Sequence, residues 1–148
     1  MKTLKERLQA LEEKLLTPEN FSVREYLNFG RFSVVSKNDR LLILEEFEKL
    51  STAEQQMNLS ILWALQPYRT HLGFPMCLTC GKRTHAHELR KKRNGTSTHL
   101  WGAVDFTCLS KGGLQDYAKL FTETWIGGFK YYDKNNFIHI DIGQNRRW

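Results

Sequence analysis

The sequence predicts an α+β fold: N-terminal helices packed on a small antiparallel sheet, in a single domain. Two observations carry this. Helix-type apolar periodicity dominates the first half of the 148 residues, and short apolar runs of strand type dominate the second. A third sets the domain count: the length suits one domain, and no linker is long enough to divide it.

The elements follow in order. Residues 3–16 read as an amphipathic helix, with Leu4, Leu8, Leu11 and Leu15 at alternating spacings of four and three. Residues 1–17 are treated as this helix and 18–148 as the main domain. Two heptads do not make a coiled coil, so the leucine stripe is expected to dock on the domain, with self-association as the alternative. Thr17-Pro18 ends the helix. Ser22-Val23-Arg24-Glu25 is a capping box for a short helix, and residues 39–50 form another. Ser51-Thr52-Ala53-Glu54 is a second box. It opens a helix carrying Met57, Ile61, Leu62 and Leu65 that is expected to stop before Pro67. Beyond Gly73, residues 74–80, 101–107 and 137–142 read as strands. A basic loop is expected from Lys82 to Arg93, closing at Asn94-Gly95, and a helix near 114–123.

Composition narrows the function. The net charge is +6, and all of it lies in the C-terminal half: residues 1–75 hold 10 basic and 10 acidic side chains, residues 76–148 hold 12 and 6. A basic half suits an anionic partner or a solvated surface. No apolar run approaches the ~20 residues of a membrane span. The N-terminus lacks an apolar signal core, so no secretory signal is expected and synthesis in the cytoplasm follows. Three cysteines make no disulfide framework. Cys77-x-x-Cys80 with His85 and His87 invites a zinc-ribbon or redox reading. The second half of a ribbon is absent, and Cys77 and Cys80 are read as structural. The basic run Arg90-Lys91-Lys92-Arg93 has no interleaved aromatic, which makes it a poor platform for single-stranded nucleic acid.

The residues with the richest chemistry lie on two short segments. Ser97 to Asp105 carries His99 and Asp105, and Phe137 to Ile142 carries His139 and Asp141. A catalytic zinc takes three ligands from histidine and carboxylate and keeps one position open. His99, Asp105 and His139 would supply two nitrogens and an oxygen. Residues i and i+2 of a strand share a face, so Asp141 points to the same side as His139. On residue types alone, a core histidine satisfied by a hydrogen bond explains each His equally well.

The surrounding sequence resembles the zinc D-alanyl-D-alanine carboxypeptidase group, the LAS peptidases. Leu65-Gln66-Pro67-Tyr68-Arg69, Gly73-Phe74-Pro75-Met76 and Gly81-Lys82-Arg83-Thr84 occur in the group's order. Ser97 to Asp105 is similar to its S-x-H-x-x-G-x-A-x-D motif. Gly127 to Tyr132, Phe137 to Gly143 and Arg146-Arg147-Trp148 resemble the C-terminal end of one bacterial branch.

The resemblance implies a hedgehog-like α+β fold, with Zn2+ held by His99, Asp105 and His139. It implies Arg83 as a substrate- or oxyanion-binding arginine. Ser97 would shape the loop, and Trp101 and Trp125 would line the groove. Cys80 falls at a serine position of the pattern.

The chain departs from the pattern twice. Five residues, not six, separate His99 from Asp105, and a one-residue slip within a strand would turn Asp105 to the wrong face. Relatives often carry the catalytic base three or two residues before the last histidine; here Asn136 and Phe137 stand there. Asp141 is then either the base or the partner that fixes the His139 tautomer, with Asp133 a distant second candidate for the base.

The function expected is a zinc peptidase cutting peptidoglycan stem or cross-bridge peptides, as a D,D-carboxypeptidase or an endopeptidase. The missing signal suits a phage lysin or a tail-associated component with virion proteins as partners. A non-catalytic virion protein keeping the fold, and a basic nucleic-acid-binding module, are the competing expectations. No membrane partner is expected.

Overall fold

The computed structural model describes residues 1–91 and 97–147. Seven α-helices are present among them: α1 Leu4–Lys14, α2 Val23–Tyr26, α3 Lys37–Glu48, α4 Thr52–Asn58, α5 Ser60–Leu72, α6 His85–Arg90 and α7 Lys111–Thr124. Five strands, β1 Cys77–Cys80, β2 Ala103–Thr107, β3 Gly128–Tyr132, β4 Phe137–Asp141 and β5 Arg146–Arg147, form one sheet in the order β1-β2-β4-β3-β5. Only the β3–β5 pair is parallel. This is the expected α+β arrangement of helices on a mostly antiparallel sheet.

The local chemistry explains the helix starts. Thr3, Ser22, Ser36, Ser51, Thr84 and Ser110 each accept a backbone N–H of the first turn through the side-chain oxygen. In both expected boxes the serine hydroxyl also donates to the glutamate three residues on, Ser22 to Glu25 at 3.1 Å and Ser51 to Glu54 at 2.9 Å. Leu8, Leu11 and Leu15 are buried in the chain's own core, whereas Leu4 is exposed.

Several elements differ from expectation. The helix opened by Ser51 breaks at Leu59 and resumes as α5, which runs through Pro67 to Leu72. Proline removes the N–H that would bond Trp63 four residues back. Trp63 is half exposed, so water can serve its carbonyl, while Ile61, Leu62 and Leu65 stay fully buried and hold the helix together. Gly73, at φ 79°, ends it in the left-handed conformation that glycine adopts without strain. Met57, expected on the apolar face, is exposed. The expected basic loop begins instead as α6, capped by Thr84, and residues 92–96 of that loop lie outside the described residues, as does Trp148. Strand β3 was not foreseen.

The sheet has two different faces. Val104, Phe106, Ile138, Ile140 and Phe129 pack with Leu114, Tyr117 and Phe121 of α7 in the main core. Alternate residues point the other way. Cross-strand register there aligns Cys80 with Asp105, Asp105 with His139, and His139 with Lys130. One polar row thus crosses four strands.

Candidate metal centre

Two sequence-predicted residues, Asp105 and His139, lie on that row, and the turn before β2 brings His99 against them. His99 Nε2 lies 3.2 Å from Asp105 Oδ1, and His139 Nδ1 lies 2.9 Å from the same oxygen. All three side chains are nearly buried. The missing residue between His99 and Asp105 is taken up before the strand starts. A 3-10 turn over Thr98–Leu100 bonds both Trp101 N–H and Gly102 N–H to the Thr98 carbonyl, and β2 begins only at Ala103. Asp105 therefore keeps the face it shares with His139.

The opposite nitrogen of each imidazole is engaged. His99 Nδ1 lies 2.7 Å from the Gly81 carbonyl, which fixes Nδ1 as a protonated nitrogen and turns Nε2 toward Asp105, where it donates in the metal-free chain and would offer its lone pair to a metal once that proton leaves. His139 Nε2 lies 2.7 Å from Asp141 Oδ2, which in the same way turns Nδ1 toward Asp105. Backing of this kind is what metal-binding histidines use to set tautomer and ring orientation.

Asp141 is fully buried and crowded with donors. Its Oδ2 accepts from His139, from Thr98 Oγ1 at 3.2 Å and from Arg146 at 3.3 Å. Its Oδ1 accepts from the N–H groups of Gly128 and Gly143 at 3.0 and 2.9 Å. A β-carbon at Gly128 would collide with this carboxylate, so the close approach needs glycine there.

Arg83 sits at the edge of the group. Its guanidinium is 3.9 Å from Asp105 Oδ2 and 3.8 Å from Glu88, a fully buried acid of α6, and the Arg83 backbone N–H donates to the His99 carbonyl. Ser97 caps the turn, accepting the His99 N–H at 3.3 Å. Trp101 is 44% exposed. With Lys82, His85, Leu100, Met57 and Ile142 it lines a groove of about 580 Å3. Trp125 lies apart from that groove. It is buried among Tyr68 and Phe121 with its indole N–H given to the Asp141 carbonyl, and only an edge reaches a separate hollow. It braces the Asp141 strand more than it lines a groove.

Charge and hydrogen bonding set the protonation of the group. Burial alone would raise Asp105, but the charge of His99 and the bonds from both imidazoles hold it well below the usual carboxylate range. Burial alone would lower His99; the Asp105 carboxylate and the Cys80 sulfur outweigh it and push it up to about 10. Burial would also raise Asp141, and the His139 bond with the Gly143 and Gly128 N–H groups overrides it and lowers it.

Four contributors were not among the expected site residues. Cys80, read as structural, brings its sulfur into a group with His99 and Asp105 whose ligand atoms all lie within 4.8 Å of one another. Glu88, which anchors Arg83, fell in the expected loop. Asn28 is buried at φ 71°, donates to the Lys82 carbonyl at 2.7 Å and accepts the Gly81 N–H at 2.7 Å. It pins the segment that supplies the Gly81 carbonyl and Arg83. Buried Lys82 ties the same segment to the 3-10 turn by donating to the Leu100 carbonyl at 2.6 Å. A left-handed asparagine is a local sequence signal only in hindsight, because its partners are more than 50 residues away.

Nitrogen, oxygen and sulfur donors in this proximity, two of them imidazoles backed from behind, suit zinc. The family model for peptidase M15 matches residues 39–141, and the chain belongs to this D-Ala-D-Ala carboxypeptidase-like family, whose members are typically zinc peptidases. The matched segment contains Cys80, Arg83, Glu88, His99, Asp105, His139 and Asp141. A comparison with curated proteins gave no match. Among the described residues no helix is long and apolar enough to cross a membrane.

Proposed function

We propose that this chain is a zinc-dependent peptidase acting on the stem or cross-bridge peptides of peptidoglycan. The observation that carries the reading is the convergence of His99 Nε2 and His139 Nδ1 on one oxygen of Asp105. These three residues would hold the metal. A zinc ion there supplies Lewis-acid polarisation of a carbonyl and lowers the pKa of a bound water to about 7.

The chain's own residues bind the carbonyl and orient the ligands. Arg83, held between Glu88 and Asp105, offers a planar fork of donors. It serves the scissile carbonyl oxygen as negative charge grows, or a substrate carboxylate. Asp141 keeps the proton of His139 on Nε2. Five donors already fill its two oxygens, so it positions His139 and does not act as the base. The groove beside Trp101, Leu100 and Lys82 is where the peptide would lie, since Leu100 and Lys82 are next in the chain to His99 and Arg83. The positive excess of residues 76–148 favours an anionic wall over a neutral one.

One observation favours a second reading, a protein that keeps the fold and the metal without turnover. Asn136 sits at the position where relatives often carry an acid. It is exposed, at φ 58°, with its carbonyl bound by Thr107. Incubation of the zinc-loaded chain with purified peptidoglycan and with a synthetic stem pentapeptide separates the two. The peptidase reading expects release of new amino termini or of D-alanine, abolished by a chelator and by His139→Ala. Bound zinc with no cleavage of either substrate supports the second reading instead.

A further inference from the structure

We propose that Cys80 binds the metal directly through its sulfur, so that the centre takes a mixed set of sulfur, two imidazole nitrogens and carboxylate oxygen. This rests on the reading of His99, Asp105 and His139 as metal ligands; with four protein donors a water would enter only as a fifth ligand, an expansion that catalytic zinc sites allow.

The placement of Cys80 is a property of the backbone. Strand β1 pairs Cys77 with Thr107 and Leu78 with Phe106, and a regular ladder would next set Thr79 against Asp105. The register shifts there, and Cys80 faces Asp105 instead. The extra residue is Thr79, whose hydroxyl donates to the Asp105 carbonyl and whose own carbonyl accepts the Val34 N–H. A bulge re-aims the side chain that follows it, and bulges gather beside functional sites. Directly opposed residues of an antiparallel pair share a face. The shift therefore turns Cys80 onto the row that holds Asp105 and His139, where a regular strand would have presented Thr79.

The surroundings of the sulfur also fit. Cys80 is 3% exposed, its sulfur faces His99 and Arg83, and it donates a long bond of 3.8 Å to the Gly81 carbonyl. That carbonyl is the group that backs His99. His99 and Asp105 present their ligand atoms within 4.8 Å of the Cys80 sulfur and of each other. Sulfur, imidazole and carboxylate are all ordinary zinc donors. Cys77 and Cys108 are buried too, but neither belongs to such a group among the described residues.

X-ray absorption of the wild-type chain loaded with an equimolar amount of zinc tests the proposal without any substitution. A sulfur shell at about 2.3 Å beside nitrogen or oxygen at about 2.0–2.1 Å is the expected result. Cobalt gives the independent check. A sulfur-to-cobalt charge-transfer band is expected in the wild type, in Cys77→Ala and in Cys108→Ala. It should vanish in Cys80→Ser, which still binds cobalt. If Cys80→Ser fails to fold, the wild-type zinc spectrum decides alone. A zinc shell of nitrogen and oxygen only, or a charge-transfer band that survives Cys80→Ser, overturns the sulfur ligand and leaves the peptidase reading intact. No zinc or cobalt bound by the wild type overturns both.

Discussion

Arg83 is the residue at which the proposed chemistry is most exposed to a simple substitution. Arg83→Lys keeps the charge but loses the planar fork held between Glu88 and Asp105. We expect peptide-cleaving turnover to fall about 10²–10³-fold with zinc content unchanged, read by steady-state kinetics and metal analysis. His99 gives a pH signature in the metal-free chain. Its folded pKa is raised, so the pair with Asp105 contributes stability that is complete below the ordinary histidine value of 6.5 and is lost as pH climbs through about 10. The metal-free protein should therefore melt at a lower temperature near that pH than near neutrality. His99→Gln should flatten this dependence. The same proton must leave before a metal can bind, so zinc affinity should rise with pH over that window.

At the scale of elements, the site depends on irregularities in otherwise plain strands. Gly128 lets the β3 backbone approach the Asp141 carboxylate, and alanine there collides with it. Because Asp141 orients His139, Gly128→Ala should weaken zinc binding about 10–100-fold, measurable by competition with a chromogenic chelator. Much of this layout was legible in the sequence. The capping serines, the strand carrying His139 and Asp141, and the segment from Ser97 to Asp105 all follow from local pattern. So did the fold class, since helical and strand periods occupy separate halves. What escaped depends on partners distant in the chain. The bulge at Thr79 is set by pairing with β2, so nothing local distinguished Cys80 from a core cysteine. The compensation of the short His99–Asp105 spacing lies in a tight turn whose hydrogen bonds close on Thr98. Pro67 misled because burial of Ile61, Leu62 and Leu65 outweighs one lost backbone bond. Helix α6 was hidden by its basic composition, although Thr84 caps it as a sequence signal should.

At the scale of the whole molecule, the two halves divide the work. Residues 1–75, neutral overall, supply five helices and most of the support, including Asn28 beneath the Arg83 segment. Residues 76–148 supply the sheet, the donor groups and the positive charge. Helix α1 belongs to the same core, since Leu8, Leu11 and Leu15 are all buried in it. Burying three leucines contributes about 4–9 kcal/mol, on the scale of the ~5–15 kcal/mol that holds a typical domain folded. Removal of residues 1–17 should leave a chain that lacks a cooperative thermal transition. Circular dichroism melting would check this. If His99, Asp105 and His139 together hold one metal ion, zinc content after equilibrium dialysis separates the wild type from His139→Ala, with folding of both verified. About one zinc per chain is expected in the wild type and a near-complete loss in the variant; equal zinc in both would refute the shared site.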